Sequence, residues 1–515
     1  MKTLVLILGD QLWLGSPALK RARETQARIL MVEAYEEASY VPQHKARLVL
    51  FFSAMRHFRD ALLDEDFDVT YTALDDEQTH TSIAAELNAQ IKAQDVERVV
   101  CVTPGDARVG ASIKAVCQEA SIELEALDDT HFMSTIKEFR DHAGGRKSLI
   151  MEYFYRDMRK RTGILMDAGK PIGGQWNFDA DNRDTFGKDG PPTIPPPLEF
   201  KPDNVTRDVI AMVEDRFADA PGTLENFAYP VSAEDAQKAL DDFIEHRLPH
   251  FGKYQDAMVT GEAFLYHSRL STCLNLHLLD PRDAINAAVK AYEDDDAPLN
   301  SVEGFVRQIL GWREFIRGVY WTKMPDYAEM NGLNADQDVP AFFWTGETDM
   351  ACVADGVQQL IDHAYAHHIQ RLMVLGLFLM LLGARPYDVH RWHMSMYADA
   401  IDWVSLPNVL GMSQHGDGGI VGTKPYSASG NYINKMSNYC GDCRYNPSKA
   451  VGEDACPFTT LYWDFLDRNG EAFRKNHRMG FQLRNLDRKS DEDLDAIRTR
   501  ATEMKAEFTK HTYLS

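Results

Sequence analysis

Short apolar runs alternate with stretches of helical periodicity over the first 130 residues of the chain. The runs at residues 4–8, 27–32, 69–74 and 98–102 have the length of buried parallel strands, and the third is the least apolar. Apolar residues between them recur at helical spacing, as they do from Leu48 to Leu62. This alternation predicts a doubly wound α/β domain, which binds ligands at the carboxyl ends of its strands.

The pattern changes after a proline-rich segment, in which five prolines fall between residues 191 and 197. Such a composition is typical of a linker. Strand patterns almost disappear beyond it, and long helices are predicted at 233–247 with Ser232 as N-cap, at 357–382, and after Ser490. We therefore predict an α/β domain at 1–130, a connection at 131–205, and an all-α domain at 206–515.

The composition of this 515-residue chain is that of a folded protein without a membrane span. The longest apolar stretch, residues 372–382, is much shorter than the roughly 20 residues that a spanning helix needs. The apolar start of the chain is a strand rather than a signal peptide, so we expect a cytoplasmic protein. A formal net charge of −23 excludes a protein that coats nucleic acid indiscriminately.

Any contact with DNA would therefore need a local basic patch. One candidate interleaves cations with the aromatic residues Tyr153, Phe154 and Tyr155, and its cations are Arg146, Lys147, Arg156, Arg159, Lys160 and Arg161. Phosphate neutralisation and stacking surfaces would then lie together, as in a protein that flips bases. A solvated helix face would show the same pattern.

Four of the seven cysteines form a candidate metal site. Cys440 and Cys443 have C-x-x-C spacing, Cys456 follows and precedes a proline, and Cys352 lies far upstream. Four thiolates suit Zn²⁺ or an iron–sulfur cluster, and one pair with two separate cysteines favours a [4Fe–4S] cluster. In the alternative, Cys352 is a core residue and only three cysteines bind metal.

Gly9, Asp10 and Gln11 end the first predicted strand, where a doubly wound domain binds its ligand. No G-x-G-x-x-G sequence follows that strand. A dinucleotide bound in the Rossmann manner is therefore not expected in this domain.

Several segments together resemble one known family. They are YHSRLS at 266–271, QILGWREF at 308–315, AHHIQRLM at 366–373, GNYIN at 430–434, the cysteine segment, and residues 8–12 and 37–40. These segments, which cover nearly the whole chain, are similar to those of the iron–sulfur bacterial cryptochromes and (6-4) photolyases. The resemblance implies the photolyase fold, FAD, a [4Fe–4S] cluster and a 6,7-dimethyl-8-ribityllumazine antenna.

The resemblance also assigns roles to single residues. It implies that FAD is bound by Ser268, Arg269, Leu270, Ser271, Gln308, Trp312, Arg313, Arg371, Asp399 and Ser405. The antenna would be bound by Gly9, Asp10, Gln11 and Glu37. Electrons would reach the flavin through Trp392, Trp344 and His393, and the lesion would meet His367, His368 and Tyr426. Arg371 and Asp399 would pair across the flavin ring, although a surface ion pair would have the same residues.

His368 is the first candidate for proton donor to the lesion, because histidine titrates in the required range. A rival interpretation places a metal on His363 and His367, which are four residues apart. No third ligand is evident beside them.

The chain departs from the family pattern at several positions. His393 stands where the family usually has tyrosine, and Ser405 where relatives carry a glutamate that faces the flavin. Leu375 and Leu377 replace polar residues, and Phe51 is bulky for a position that borders the antenna site. These differences favour altered flavin chemistry and put the antenna in question.

Three functions follow as hypotheses. The first is light-driven repair of (6-4) photoproducts by a monomer that binds damaged DNA. The second is a blue-light photoreceptor of the cryptochrome kind, whose signalling partner is unknown. The third, from another class, is a non-catalytic iron–sulfur protein that binds nucleic acid, like the large subunit of primase.

Overall fold

The computed structural model describes residues 2–75, 81–146, 149–187 and 190–510. Five parallel strands form one sheet in the order β3-β2-β1-β4-β5. The strands are β1 Thr3–Leu6, β2 Arg28–Val32, β3 Val69–Thr72, β4 Arg98–Val102 and β5 Glu123–Leu127. The four predicted strands are thus confirmed within two residues, and the doubly wound sheet with them.

The fifth strand, β5, was not predicted. It lies at the sheet edge, where it pairs only with β4 and where Arg98 faces Glu123. Its residues are exposed or half-buried, so it lacks the apolar run that marks the interior strands.

Helices flank this sheet and continue into the connection. They are Pro17–Thr25, Tyr35–Ser39, Lys45–Asp64, Ile83–Gln94, Ala107–Glu119, Ile136–Ala143 and Met151–Thr162. A short hairpin of Met166–Asp167 and Lys170–Pro171 and the 3₁₀ turns Ile172–Gly174 and Asp179–Asp181 follow. Residues 190–203 have neither helix nor strand, as the prolines predict.

The rest of the chain is helical. Its α-helices are Asn204–Arg216, Ala233–His246, Leu248–Tyr254, Ser271–Asn275, Pro281–Glu293, Leu299–Val306, Glu314–Lys323, Phe342–Thr345, Ala351–His363, His368–Gln370, Leu377–Leu382, Pro386–Met396, Asp402–Pro407, Gly430–Met436, Pro457–Arg468, Gly470–Phe473, Gly480–Leu486 and Asp491–Phe508. The remaining turns are π-helical at Arg307–Arg313, Arg371–Gly376 and Asn408–Ser413, and 3₁₀ at Asp326–Glu329, Tyr439–Gly441 and His477–Met479. Ser232 and Ser490 cap their helices as predicted, each accepting a backbone hydrogen bond.

The single helix predicted at 357–382 is wrong. Ala364 has a left-handed backbone with φ of 49°, which ends the helix Ala351–His363, and a new helix begins at His368. The carbonyl of Ala364 accepts a hydrogen bond of 3.0 Å from the backbone N–H of Ala398. This break places His367, His368 and Arg371 beside the segment that contains Asp399.

The two halves pack directly against each other. Leu12 donates to Leu276, His44 to Ser395 and Trp403 to Gly105, all between backbone atoms 2.7–3.1 Å apart. One large apolar core extends across both halves. None of the helices in the described ranges is both long enough and apolar enough to cross a membrane.

Candidate functional site

Two of the residues predicted to surround a flavin, Arg371 and Ser271, meet at Asp399, which was predicted with them. Arg371 Nη1 donates a hydrogen bond of 3.0 Å to Asp399 Oδ1, and the hydroxyl of Ser271 bonds to the same carboxylate. Asn275, one turn further along the helix that Ser271 begins, donates to the Asp399 carbonyl at 2.8 Å. Burial raises the pKa of Asp399, but the charge and hydrogen bonds of Arg371 outweigh it and hold the pKa below its usual value. The pair is therefore ionised and largely buried, not a surface ion pair.

Polar atoms without a hydrogen-bond partner surround this pair. They are Nε2 of His267, Nε of Arg269, both ring nitrogens of His367, Nε2 of His393 and the hydroxyl of Tyr397. The guanidinium of Arg371 lies 4.2 Å from the ring centre of Tyr397. Buried polar groups are nearly always satisfied, so this concentration indicates a site for a polar ligand. A molecule with phosphates, hydroxyls and ring amides, as FAD has, fits these atoms.

His367 and His368 precede Arg371 by about one turn, at the start of the helix His368–Gln370, and they face different surroundings. His367 is buried and stacks on His267, with ring centres 4.5 Å apart and planes 11° apart. Burial, together with the neighbouring histidines, lowers the pKa of His367 far below 6.5. His368 is about half exposed, and its Nε2 lies 3.3 Å from Asp256 Oδ1. The structure thus separates a neutral buried imidazole from a half-exposed one that a bound molecule can reach.

Nitrogen atoms of His267, His367 and His368 lie within 4.8 Å of one another, which is close enough for a shared metal ion. A ring nitrogen, however, binds a metal in the plane of its ring. The planes of His267 and His367 are nearly parallel, so no single ion can lie in both. The rival pair of His363 and His367 does not converge either, because the break at Ala364 separates them and the ring of His363 packs on Phe264.

A half-exposed rim surrounds His368. Tyr426 lies within the range of the charges of Asp179 and Arg478, and Tyr432 lies within that of Asp256 and Arg183. Burial raises the pKa of both tyrosines, which keeps their hydroxyls protonated. Asp179 is close enough to interact electrostatically with both His368 and Tyr426, so these two side chains share one rim, as expected of residues that meet a common substrate.

Two other residues predicted at the flavin lie in different places. Gln308 is exposed next to Arg307, which forms an ion pair with Asp179 of the rim. Trp312 is half-buried against Phe315. Among the described residues, neither side chain contacts the Arg371–Asp399 pair.

Arg313 is also predicted at the flavin, but its contacts are structural. It is buried, it donates to His131 at 3.0 Å and it packs 3.8 Å over Phe132. The guanidinium therefore fastens the connection after β5 to the helical half. Ser405 is buried in the helix Asp402–Pro407.

Trp392 is fully buried beside the polar site. Its indole donates to the carbonyl of Phe343, the residue before Trp344, at 3.0 Å. Its ring lies edge-on to Tyr397 with ring centres 5.7 Å apart. Trp344 is 5% exposed. Adjacent aromatic rings of this kind can pass electrons, and they also fill a core.

All four predicted ligand cysteines converge. Cys352, Cys440, Cys443 and Cys456 line one small cavity, and each of the other three thiols is close enough to affect Cys352 electrostatically. Burial raises the pKa of Cys440 to about 12, so without a metal its thiol stays protonated. The interpretation of Cys352 as an unrelated core residue is therefore wrong.

A second cavity lies at the carboxyl end of the sheet. Gly9, Asp10, Glu37 and Phe51 line it, whereas Gln11 turns away and donates to the Thr103 carbonyl at 3.0 Å. Burial raises the pKa of Asp10 from 3.8 to about 7. Phe51 packs beneath the guanidinium of Arg47 at 4.3 Å and narrows the cavity without closing it.

The predicted basic patch at 146–161 is largely used by the fold. Arg159 is 1% exposed and donates to the carbonyls of Ile164, Leu165 and Trp176. Arg156 pairs with Glu152 and Arg161 with Glu138. Lys147 lies outside the described residues. This helix therefore offers little free positive charge to DNA.

Sequence reasoning missed several residues of the site. Tyr397, Asp179 and Asp256 lie in short irregular segments or at a helix end, with no periodicity that marks them, and His267 lies inside the motif at 266–271 but was given no role. Tyr397 follows His393 by four residues, about one helical turn, and the two rings stack on each other. A search for polar residues one helical turn from each predicted site residue would have found Tyr397.

The comparisons with known proteins agree with this arrangement. A family model described as deoxyribodipyrimidine photo-lyase-related protein matches residues 5–229. The (6-4) photolyase of Agrobacterium fabrum is 47% identical over 501 residues, which cover 97% of this chain and 98% of that protein. The crystal structure of a bacterial class III photolyase from Agrobacterium tumefaciens matches 99% of this chain and 98% of its own, with a TM-score of 0.59 at 18% identity. The cryptochrome of Synechocystis sp. PCC6803 matches 84% of this chain and 86% of its own, with a TM-score of 0.57 at 15% identity.

The last two likenesses, at low identity, establish the fold. The near-complete match to the Agrobacterium relative establishes the family, and it excludes the primase-like interpretation. The chain belongs to the photolyase and cryptochrome family, in the branch of the bacterial (6-4) photolyases.

Proposed function

We propose that this protein repairs UV-induced (6-4) pyrimidine photoproducts in DNA, using light and reduced FAD. One observation carries the proposal: a single short helical segment presents His368 to an open rim at one end and Arg371 to a buried polar site at the other. A substrate at the rim and a cofactor at Arg371 would be neighbours. The Agrobacterium relative named a (6-4) photolyase supports the same substrate class.

Family membership implies FAD, which when bound supplies an electron under blue light. Ser268, Arg269 and Ser271 would hold its phosphates, since hydroxyls and backbone N–H groups at a helix start suit an anion. Arg371 would face the ring system and stabilise negative charge there, while Asp399 holds the guanidinium in place. Burial of both groups keeps water away from the site.

His368 would move the proton that the lesion requires. Opening a (6-4) product transfers a hydroxyl between two bases, so a group that donates and accepts protons must touch it. The carboxylate of Asp256 orients the His368 ring, and Tyr426 presents a protonated hydroxyl from across the rim. His367 is too deeply buried to exchange protons with water and would position rather than protonate.

We further propose that the four cysteines hold a [4Fe–4S] cluster and that the cavity around Asp10 holds the lumazine antenna. The converging thiols support the first. The position of the cavity at the carboxyl end of the sheet supports the second. A monomeric state and a cytoplasmic location belong to the same proposal.

A photoreceptor function is the second candidate, and the apolar positions near the cofactor favour it. Leu375 and Leu377 are at most 1% exposed, and Leu375 packs against Gly356, so neither offers a polar group. The deciding experiment incubates the purified protein with a (6-4)-damaged oligonucleotide under blue light. Restored pyrimidines support repair, whereas no repair by fully reduced, FAD-loaded protein would leave the photoreceptor.

A further inference from the structure

A strongly basic surface lies outside the site described above. Residues 474–489 contain six arginines and lysines and one carboxylate, a net charge of +5 in a chain whose formal charge is −23. The side chains of Lys475, Arg478, Arg484 and Arg488 are exposed, and Phe481 projects among them with 69% of its surface accessible. We call these five residues the basic C-terminal surface.

The four cations of this surface are free of carboxylates. Within the described part of the chain, neither Lys475, Arg478, Arg484 nor Arg488 forms an ion pair. The neighbouring Arg474, in contrast, forms an ion pair with Asp487. Unneutralised charge concentrated in this way repels itself, so it indicates an anionic partner.

The surface is continuous with the rim around His368. Arg478 donates to the hydroxyl of Thr423 at 2.6 Å, and Asn476 donates to the Thr423 carbonyl at 2.8 Å. Thr423 precedes Tyr426 by three residues, and the charge of Arg478 acts on the Tyr426 hydroxyl. A polyanion that reaches the rim at Tyr426 would therefore meet Arg478 next and the remaining cations beyond it.

The chemistry of the surface selects nucleic acid. Arginine and lysine neutralise phosphates, and an exposed aromatic ring among them can stack on bases or insert between them. In the other basic segment, at 146–161, Arg156 and Arg161 pair with carboxylates and Arg159 is buried against backbone carbonyls. The charge needed to hold DNA on this acidic protein must come from elsewhere.

We propose that the basic C-terminal surface binds the phosphate backbone of duplex DNA on one side of the lesion. The position of the lesion in this statement rests on the proposed function. The binding itself does not, because it follows from free charge, exposure and continuity with the rim. Arg484 and Arg488 would contact phosphates, and the exposed ring of Phe481 would contact bases or sugars.

The test compares two double variants of the full-length, FAD-loaded protein. Arg484→Gln with Arg488→Gln removes two free charges, and Arg498→Gln with Arg500→Gln removes two that are paired with Asp467 and Glu503. Affinity for duplex DNA, with and without a (6-4) lesion, is measured between 50 and 200 mM salt. Each phosphate contact contributes roughly 0.9 to the slope of log affinity against log salt, so the first variant should lose about 1.8 and the control none.

At the lower salt concentration the first variant should bind both duplexes about tenfold more weakly or worse. If the parent repairs DNA and the first variant keeps the parental slope and affinity, the proposed surface is refuted and the proposed function stands. If the parent repairs nothing but the first variant shows the reduced slope, the result supports the surface and counts against the proposed function. If the first variant binds DNA as the parent does but loses binding to phosphatidylserine vesicles, DNA is the wrong partner for this surface.

Discussion

The imidazole of His393 stacks on the phenol ring of Tyr397, with ring centres 4.6 Å apart and planes 14° apart. Burial and the positive charge of Arg371 lower the pKa of His393 to about 3, so the imidazole is neutral at working pH. Trp392 lies edge-on to both rings, at 5.2 Å from His393 and 5.7 Å from Tyr397. The position where the family usually has tyrosine therefore holds a neutral ring inside an aromatic group.

A tyrosine at this position should restore a relay, because a phenol is oxidised more easily than a neutral imidazole. We expect His393→Tyr to raise the rate of flavin photoreduction and His393→Phe to leave it unchanged. Trp392→Phe should slow photoreduction in either background. Flash photolysis of the FAD-loaded protein measures all three, and a faster His393→Phe variant would refute the redox explanation.

Breaking the pair between Arg371 and Asp399 should release FAD. Arg371→Ala leaves a buried carboxylate unpaired, which costs about 3–5 kcal/mol. Arg385→Ala is the control, because its ion pairs with Asp388 and Asp338 are exposed and contribute at most about 1 kcal/mol. Flavin content after gel filtration is the measurement, and full retention by Arg371→Ala would place the flavin elsewhere.

If the four cysteines hold the proposed cluster, loss of one of them should remove the metal. Cys440→Ala opens the cavity in which three separate segments bring the four cysteines together, so we expect insoluble or iron-free protein. Cys117→Ala is the control, because Cys117 is buried in the core of the α/β half. Iron and zinc are measured in each preparation, and a soluble, zinc-loaded, iron-free parent would contradict the cluster.

Asp10 should make stability depend on pH. Burial raises the pKa of Asp10 from 3.8 to about 7 in the folded protein. Between these values the folded chain holds a proton that the unfolded chain has released, so stability falls as pH rises through this window. Asp10→Asn removes the effect, and its gain in melting temperature over the parent should be larger at pH 8 than at pH 5. The exposed Asp64→Asn should show no such difference.

The sequence predicted those parts of the fold that local pattern controls. Apolar runs located β1 to β4, and the hydroxyls of Ser232 and Ser490 marked helix starts because a cap is a local hydrogen bond. β5 was missed because an edge strand need not be apolar. The break at Ala364 was missed because it depends on Ala398, a residue 34 positions away.

The site was predictable where a motif supplies the chemistry and unpredictable where the fold supplies the neighbours. Arg371, Asp399 and Ser271 converge as expected, and so do the cysteines. The neighbours of Arg313 were not predictable, because its motif does not reveal that His131 and Phe132 from the connection enclose its guanidinium. The basic patch failed for the same reason, since its partners Glu138 and Trp176 lie outside the patch itself.

The last prediction separates repair from signalling and concerns His368. This side chain is about half exposed and its Nε2 bonds to Asp256, so His368→Ala should leave folding intact. FAD retention and photoreduction should persist, because Arg371, Asp399 and Trp392 are unchanged. Repair of a (6-4) lesion should fall by at least the roughly 10²-fold that loss of a general acid costs.

His246→Ala, an exposed histidine on another helix, is the matched control and should repair at the parental rate. Binding of damaged DNA should change little in His368→Ala, because phosphate contacts dominate affinity. Asp256→Asn should give a smaller loss of repair, since it removes the partner that orients the ring but keeps the ring itself. Equal repair by His368→Ala and the parent would refute the assignment of His368, and Tyr426, across the same rim, would then be the remaining proton donor to test.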